Sequence, residues 1–352
     1  MATRCSNNSI RVLVTAIGGP NGYGVVKCLN SVDNIVTYGV DSDRCCPTQR
    51  FVDDFYVVPR IDNSSYVHEL FELVRQKGID FIIPTLHDEI PLIPKLRKLG
   101  NVVAPRMSGE ELNSLLDKTV VYKKLTESGY GNLVPRHFRV HNMSELFAVA
   151  QELGYPQHLV CVKHSISHGS MGFMVLASTQ HVARAWAKRN IGTWCTLEQF
   201  ADVYPDMQCT NTSLFAMEYL SGPEYSVDLL ADHGRVLVGV PRTRDRVANG
   251  IVISGATENN RMILDATTMI ACSLGLDCFA NLQFRLDATA KPVLLDLNPR
   301  FCGSQVMSFG AGVNYPLLAI QLMQGTNLSI LEPKWGMRTV RYWESEFFEE
   351  RV

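Results

Sequence analysis

Between Phe279 and Ser304 the chain concentrates oxygen-bearing side chains on what read as two strands joined by a polar turn at Asp287–Pro292. In the first strand Asn281, Gln283 and Arg285 alternate with Leu282, Phe284 and Leu286, the period of a half-buried strand. The second strand, Val293–Asn298, is closed by Pro299, and alternation puts Asp296 and Asn298 on one face. Pairing the two strands would bring Gln283 beside them. Three oxygen donors around one point suit a hard cation such as Mg2+, which leaves its other positions to water and phosphate oxygens. Arg300, just beyond, is a fixed cation of the kind that clamps a phosphoryl group. A plainer reading has Asp296 and Asn298 merely closing a strand before the proline.

Other stretches offer matching chemistry. Lys163 ends an apolar strand and is followed by Ser165-Ile166-Ser167-His168-Gly169-Ser170-Met171-Gly172, a small-residue loop before the strand Phe173–Ala177. Gly169 and Gly172 have no β-carbon in the way, so their amides can approach phosphate oxygens. Further on, Leu214–Leu220 feeds a Ser-Gly-Pro turn and a second strand on which Glu224, Ser226 and Asp228 share a face. The cations Arg242, Arg244 and Arg246 precede a Gly-containing loop. Arg242 and Arg244 suit holding a transferring phosphate or a substrate carboxylate, against the alternative of a solvated edge. Glu89 follows the apolar strand Asp80–Pro84, where ligands of open α/β sheets sit, and is a candidate contact for a substrate amine.

The spacing Gln…Asp-x-Asn-Pro-Arg resembles the metal-binding signature of the ATP-grasp superfamily, in particular the branch that includes the carbamoyl phosphate synthetase large subunit. In that branch Gln, Glu and Asn hold the magnesium ions. Asp296 stands where Glu is usual, which shortens the reach by about one carbon–carbon bond. The resemblance runs from about residue 10 to 325, with its motifs in the family order. It implies that Lys118 and Lys163 reach the nucleotide phosphates, and that Ser167, His168, Gly169, Ser170 and Gly172 belong to the glycine-rich lid. Glu218 and the backbone of Tyr219 and Leu220 would hold adenine, Glu224 the ribose hydroxyls, with Asp228 on the same side of the nucleotide pocket. Gln283, Asp296 and Asn298 would hold Mg2+ (one or two ions, with Mn2+ an alternative), Arg300, Arg242 and Arg244 would serve catalysis, and Ser304 would lie in the substrate-carboxylate region. The implied activity is a stand-alone ATP-dependent carboxylate–amine ligase that forms an amide or peptide bond through an acyl phosphate and releases ADP and phosphate. An amino acid is the first candidate substrate. Bicarbonate activation of the carbamoyl phosphate synthetase or carboxylase type, and a non-catalytic nucleotide-binding protein, are the alternatives. A nicotinamide enzyme is disfavoured, because Gly19-x-x-Gly22-x-Gly24 is not the dinucleotide spacing.

The elements that must position these residues follow from the apolar pattern. Strands and helices alternate from Ile10 to Val103, which predicts an α/β fold with a Rossmann-like parallel sheet covered on both faces. The glycine run 18–24 is expected as a loop ahead of a helix to about Asn30, and a helix is expected over 88–99. The expected organisation is a Rossmann-like domain over 1–115, a linker helix and lid over 116–215, a subdomain with the metal residues over 216–330, and a tail over 331–352. The tail, with Trp335, Tyr342 and Trp343, reads as a docked final strand or a partner contact, a homodimer being one option. With 33 basic and 35 acidic residues spread along 352, the chain carries no electrostatic footprint for nucleic acid or membrane, so its expected partners are small molecules. Ten cysteines without a CxxC pair and no apparent signal peptide fit reduced thiols and a cytoplasmic setting. No apolar run approaches membrane-spanning length.

Overall fold

The computed structural model describes residues 9–167, 172–188, 193–204, 214–248, 250–326, 328 and 331–349. The chain forms two compact units, one from Met1–Asn113, Glu224–Gln283 and Leu297–Val352, the other from Ser114–Pro223 and Phe284–Asp296.

The first unit begins with five parallel strands, β1 (Ile10–Val14), β2 (Ile35–Asp41), β3 (Asp54–Val57), β4 (Phe81–Ile83) and β5 (Asn101–Val102), in the order β3-β2-β1-β4-β5. Both neighbours of β1 run parallel to it, so each connection crosses over through helical chain, as a two-faced parallel sheet requires. The helices of this stretch are α1 (Pro20–Leu29), α2 (Tyr66–Lys77), α3 (Ile93–Leu96) and α4 (Gly109–Leu116). Two details depart from the sequence expectation. The helix begins at Pro20, so Gly22 and Gly24 lie inside it rather than in a loop. A β-carbon at Gly22 would sit 2.5 Å from the Ile17 α-carbon and 2.6 Å from the Ala16 carbonyl, so only glycine lets α1 ride this close to the chain leaving β1. The helix expected over 88–99 is reduced to a 3-10 turn, Ile90–Leu92, and the four residues of α3. Pro91 and Pro94 remove two amide donors from that run and break its ladder.

The second unit holds α5 (Lys118–Glu127), β6 (His137–Val140), α6 (Met143–Glu152), β7 (Val160–His164), β8 (Met174–Leu176), α7 (Thr179–Ala187), β9 (Trp194–Cys195), α8 (Leu197–Val203) and β10 (Leu214–Glu218). Side chains cap three of these helices: Asp117 accepts from the amides of Thr119 and Val120, Asn142 from Glu145, and Thr196 with Gln199 forms a capping box. The strands form one sheet, β6-β10-β7-β8-β9, over a core that includes Leu146, Val162, Phe200 and Ala216.

The chain then supplies β11 (Glu224–Asp232), β12 (Arg235–Thr243), β13 (Arg246–Ala248), β14 (Ile251–Ala256), α9 (Arg261–Leu274), β15 (Cys278–Leu286), β16 (Pro292–Asn298), α10 (Val306–Gly310), α11 (Tyr315–Met323) and β17 (Arg338–Val340). A four-stranded sheet runs β12-β11-β15-β16, and a small one runs β13-β14-β17. In the first unit Val12, Val14 and Ile83 of the parallel sheet share one core with Val240, Phe279, Phe301 and Tyr315. The tail is therefore docked as a strand through β17, which pairs with β14.

Candidate active site

Lys118 is the first residue of α5, where the helix dipole disfavours a cation. Local anions offset this. Its ammonium lies 3.2 Å from Asp296 Oδ1 and donates to the Ser167 carbonyl at 2.8 Å. Its amide donates to the Ser165 carbonyl, so the start of the glycine-rich loop is fastened to α5 at two points. Asp117 beneath it is pushed up by burial, but bonds from Thr119 and the Arg139 charge at 2.7 Å outweigh this and hold its carboxyl below the usual range. Lys163, near the end of β7, lies 5.4 Å from the Phe173 ring centre. Gly172 closes the loop at φ +69°, and a β-carbon there would meet the His164 ring at 2.2 Å. His168, Gly169 and Ser170 lie outside the described residues.

In the segment expected to hold adenine, Glu218 ends β10 and accepts from the Arg136 amide at 2.8 Å. Tyr219 donates its amide to the Leu159 carbonyl, and Leu220 is buried. Arg285 was not singled out for a role from sequence, yet its guanidinium lies 5.6 Å from the Tyr219 ring centre. The signal was present: on β15 only Gln283 and Arg285 keep partial exposure, as the two-residue alternation indicates.

On β16, Asp296 and Asn298 share a face, and each oxygen group is turned to a cation. Asp296 has Lys118; Asn298 Oδ1 accepts from Arg300 Nη2 at 3.4 Å. Arg300 also donates to the Phe301 carbonyl at 3.0 Å.

Other expected ligand residues are consumed inside the first unit. Arg242 is not at a solvent-facing loop but within β12, with its side chain wholly buried. Its guanidinium makes a two-pronged pair with Asp228, donates to Ser304 Oγ at 2.7 Å, and reaches Cys302 Sγ at 3.3 Å. Asp228 also accepts from Asn281 and Ser308, at 2.9 and 2.7 Å. Asp228 and Ser304 are therefore members of this network rather than nucleotide or substrate ligands, and Arg242 has no donor turned outward for a phosphate. Glu224 and Arg244 meet each other at 2.6 Å, but Glu224 keeps partial exposure. Glu89 is corrected too. It is wholly buried, accepting from Thr15, Tyr66 and the amides of Thr85 and Leu86, so it ties β1 to β4 instead of meeting an amine. Burial raises its pKa, with these bonds working the other way.

Parts of the chain are similar to known proteins. Residues 210–344 match the family model described as ATP-grasp in the biosynthetic pathway with Ter operon, and residues 3–101 match the PylC-like N-terminal domain. The first of these matches identifies an ATP-grasp domain over residues 210–344. The chain is also similar to a carbamoyl phosphate synthase large chain of Paenarthrobacter aurescens, 22% identical over 294 residues. That match covers 77% of this chain and 25% of the relative, so the chain spans about a quarter of the curated relative's length. Among solved structures, N5-carboxyaminoimidazole synthetase from Staphylococcus aureus superposes with a TM-score of 0.66 at 14% identity, covering 92% of this chain and 80% of the other. Biotin carboxylase from Campylobacter jejuni gives 0.65 at 15%, covering 92% and 73%. An L-amino acid ligase from Bacillus licheniformis gives 0.62 at 14%, covering 90% and 74%. These likenesses establish the ATP-grasp fold for the chain. No helix among the described residues is long and apolar enough to cross a membrane.

Proposed function

We propose that the chain is an ADP-forming ligase that joins a small carboxylate, an amino acid first among the candidates, to an amine. The observation that carries this is the β16 face, where Asp296 and Asn298 each already hold a cationic group. A face built to attract positive charge, with oxygen donors only, fits Mg2+. Gln283, Asp296 and Asn298 are the residues that would hold it, and when bound it supplies neutralising charge for the ATP phosphates.

The chain's own residues would do the rest. Lys118 and Lys163 draw the phosphates toward the loop that begins at Ser165. Glu218 and the backbone of Tyr219 and Leu220 orient adenine, and Glu224 the ribose, sharing its carboxylate with Arg244. Arg300 stabilises charge on the γ-phosphoryl group as the substrate carboxylate attacks phosphorus and ADP leaves. The amine then attacks the acyl carbon, the bond from that carbon to the bridging oxygen breaks with its electron pair leaving on phosphate, and the nitrogen gives up a proton to complete the amide. Catalysis of this kind rests on positioning more than on acid–base work.

A second reading, with bicarbonate as the activated carboxylate, draws support from the carboxylase and carboxyaminoimidazole synthetase among the structural neighbours. One experiment tests both. Carboxylates labelled with heavy oxygen are incubated with ATP, Mg2+ and an amine or hydroxylamine, and the released phosphate is weighed. Label from an amino acid appearing in phosphate, with ADP as co-product, supports the ligase; label from bicarbonate alone supports the second reading. AMP and pyrophosphate, or unlabelled phosphate in every case, would overturn the acyl-phosphate route.

A further inference from the structure

A cleft of about 640 Å³ lies wholly within the first unit, between the start of α1, the 3-10 turn Pro47–Phe51, α10 and the chain around β17. Its lining includes four cations, Lys27, Arg50, Arg338 and Arg341. The glycine turn Gly18-Gly19-Pro20 forms one edge. There α1, ten residues long, starts with no acidic residue in its first turn and no side-chain cap, so its positive dipole end lies beside the cleft without an acid of its own. Asp41 accepts from the Gly18 amide at 2.8 Å.

Arg341 is the most telling of the cations. It is half-buried, it donates to the Gly303 carbonyl, and its Nε meets no acceptor among the described residues. Burial lowers its pKa, the Cys302 thiol works the other way, and the Arg242 charge lowers it further. A guanidinium so placed is short of negative charge.

Negative charge arrives from the tail. Glu344 and Glu346 both reach one side chain, Arg50, Glu344 Oε1 at 3.1 Å from Nη2 and Glu346 bonded to Nη1. Both carboxylates line the same cleft. Tyr342 and Trp343 are 82% and 89% exposed, and the ion pairs are themselves partly exposed, the kind that solvent competes for readily.

We propose that this cleft binds a small molecule bearing two carboxylates, and that Glu344 and Glu346 occupy part of it as a built-in competitor. Two carboxylates on one guanidinium are what such a ligand would present, and Arg341 and Lys27 extend the cationic lining. The inference needs neither ATP nor turnover, so it stands or falls apart from the ligase reading.

The test is calorimetric titration of succinate at fixed ionic strength into the full chain and into Glu344→Gln/Glu346→Gln, Arg341→Gln and Lys27→Gln. The double variant should bind about tenfold more tightly as two partly exposed pairs cease to compete. Arg341→Gln should bind at least about tenfold more weakly, one charge-assisted contact being lost. Lys27→Gln, at an exposed position, should weaken binding in the same direction and covers the case in which the Arg341 variant fails to fold. Hydrogen exchange in 341–349 should rise on adding succinate. Equal affinity in the wild type and the double variant would overturn the competitor role. Undiminished affinity in both cation variants, or inorganic phosphate binding as tightly as succinate, would overturn the site.

Discussion

Two ion pairs in this protein join residues that the bare sequence presents alike, as charges on alternating strands or at a helix start. Asp228 and Arg242 are both wholly buried, and every arm of the guanidinium is spent on Asp228, Ser304 or Cys302. Lys118 and Asp296 keep 8% and 18% of their side-chain exposure, and Asp296 sits on the face of β16 that also carries Asn298. The closed pair is saturated. Opening it would strand a charge in a low-dielectric interior, so its geometry cannot be exchanged for a ligand's. The other pair is not saturated in this way: Asp296 keeps partial exposure, and the function proposed above has a metal ion take the ammonium's place there. Burial together with saturation, rather than charge or residue type, separates scaffold from site here.

That contrast can be broken most forcefully at Arg242. Arg242→Ala leaves Asp228 buried without its cation and should destabilise the first unit by about 3–5 kcal/mol, read from the urea midpoint. Replacing both partners by apolar residues, Arg242→Met with Asp228→Leu, should recover much of that loss, since a buried pair is worth little against an apolar core of similar volume. A variant Arg242→Ala as stable as the wild type would mean that the pair is solvated and open after all.

At the open pair the expected pattern is the reverse. Asp296→Ala or Asn298→Ala should leave the midpoint nearly unchanged and reduce ATP turnover by about a hundredfold or more, at or beyond the upper end of what loss of a metal site's supporting groups produces. Near-normal turnover at saturating Mg2+ would remove these residues from the metal site. A large shift in midpoint would show that Asp296 belongs with Asp228 as scaffold.

The sequence made the shared face of Asp296 and Asn298 legible and hid the closed pair, for a definite reason. Asp296 and Asn298 are two apart on one strand, so alternation alone aligns them. The partnership of Asp228 with Arg242 depends on the register of β11 against β12, in which Ser226 faces Arg242 and Asp228 is its diagonal neighbour. Nothing local encodes that register, and three useful-looking residues, Arg242, Asp228 and Ser304, cancel one another. Glu89 is the same case, since its donors Thr15 and Tyr66 come from distant stretches of the chain. Helix starts at Ser65, Asp117, Asn142, Asn260 and Asn314 needed only local spacing, and the chain forms them where capping residues stand. The contact of Arg50 with Glu344 spans 294 residues and no pattern announces it.

A third pair sharpens the comparison because it is saturated on one side only. Asp277 is 1% exposed and accepts from the Arg106 amide, Nε and Nη2 at 2.8, 2.8 and 2.6 Å, while Arg106 is 35% exposed and also reaches Asp232. Burial alone would raise the Asp277 pKa, but the Arg106 bonds outweigh it and hold the carboxyl below its ordinary value. Because the folded-state value is depressed, the unfolded chain binds the proton more readily, and stability rises with pH across that window. The contribution is complete above the unfolded value of about 4 and is lost as pH falls through the lower folded value. Asp277→Asn keeps the shape and removes the charge. It should therefore lower stability by about 2 kcal/mol at neutral pH, the worth of hydrogen bonds to a charged group, and by progressively less as acid protonates the wild-type carboxyl. Urea midpoints at neutral pH and near pH 3 measure this. An equal deficit at both would mean that the bonds matter for their geometry and not for their charge, which would place Asp277 with the saturated interior pair and not between the two.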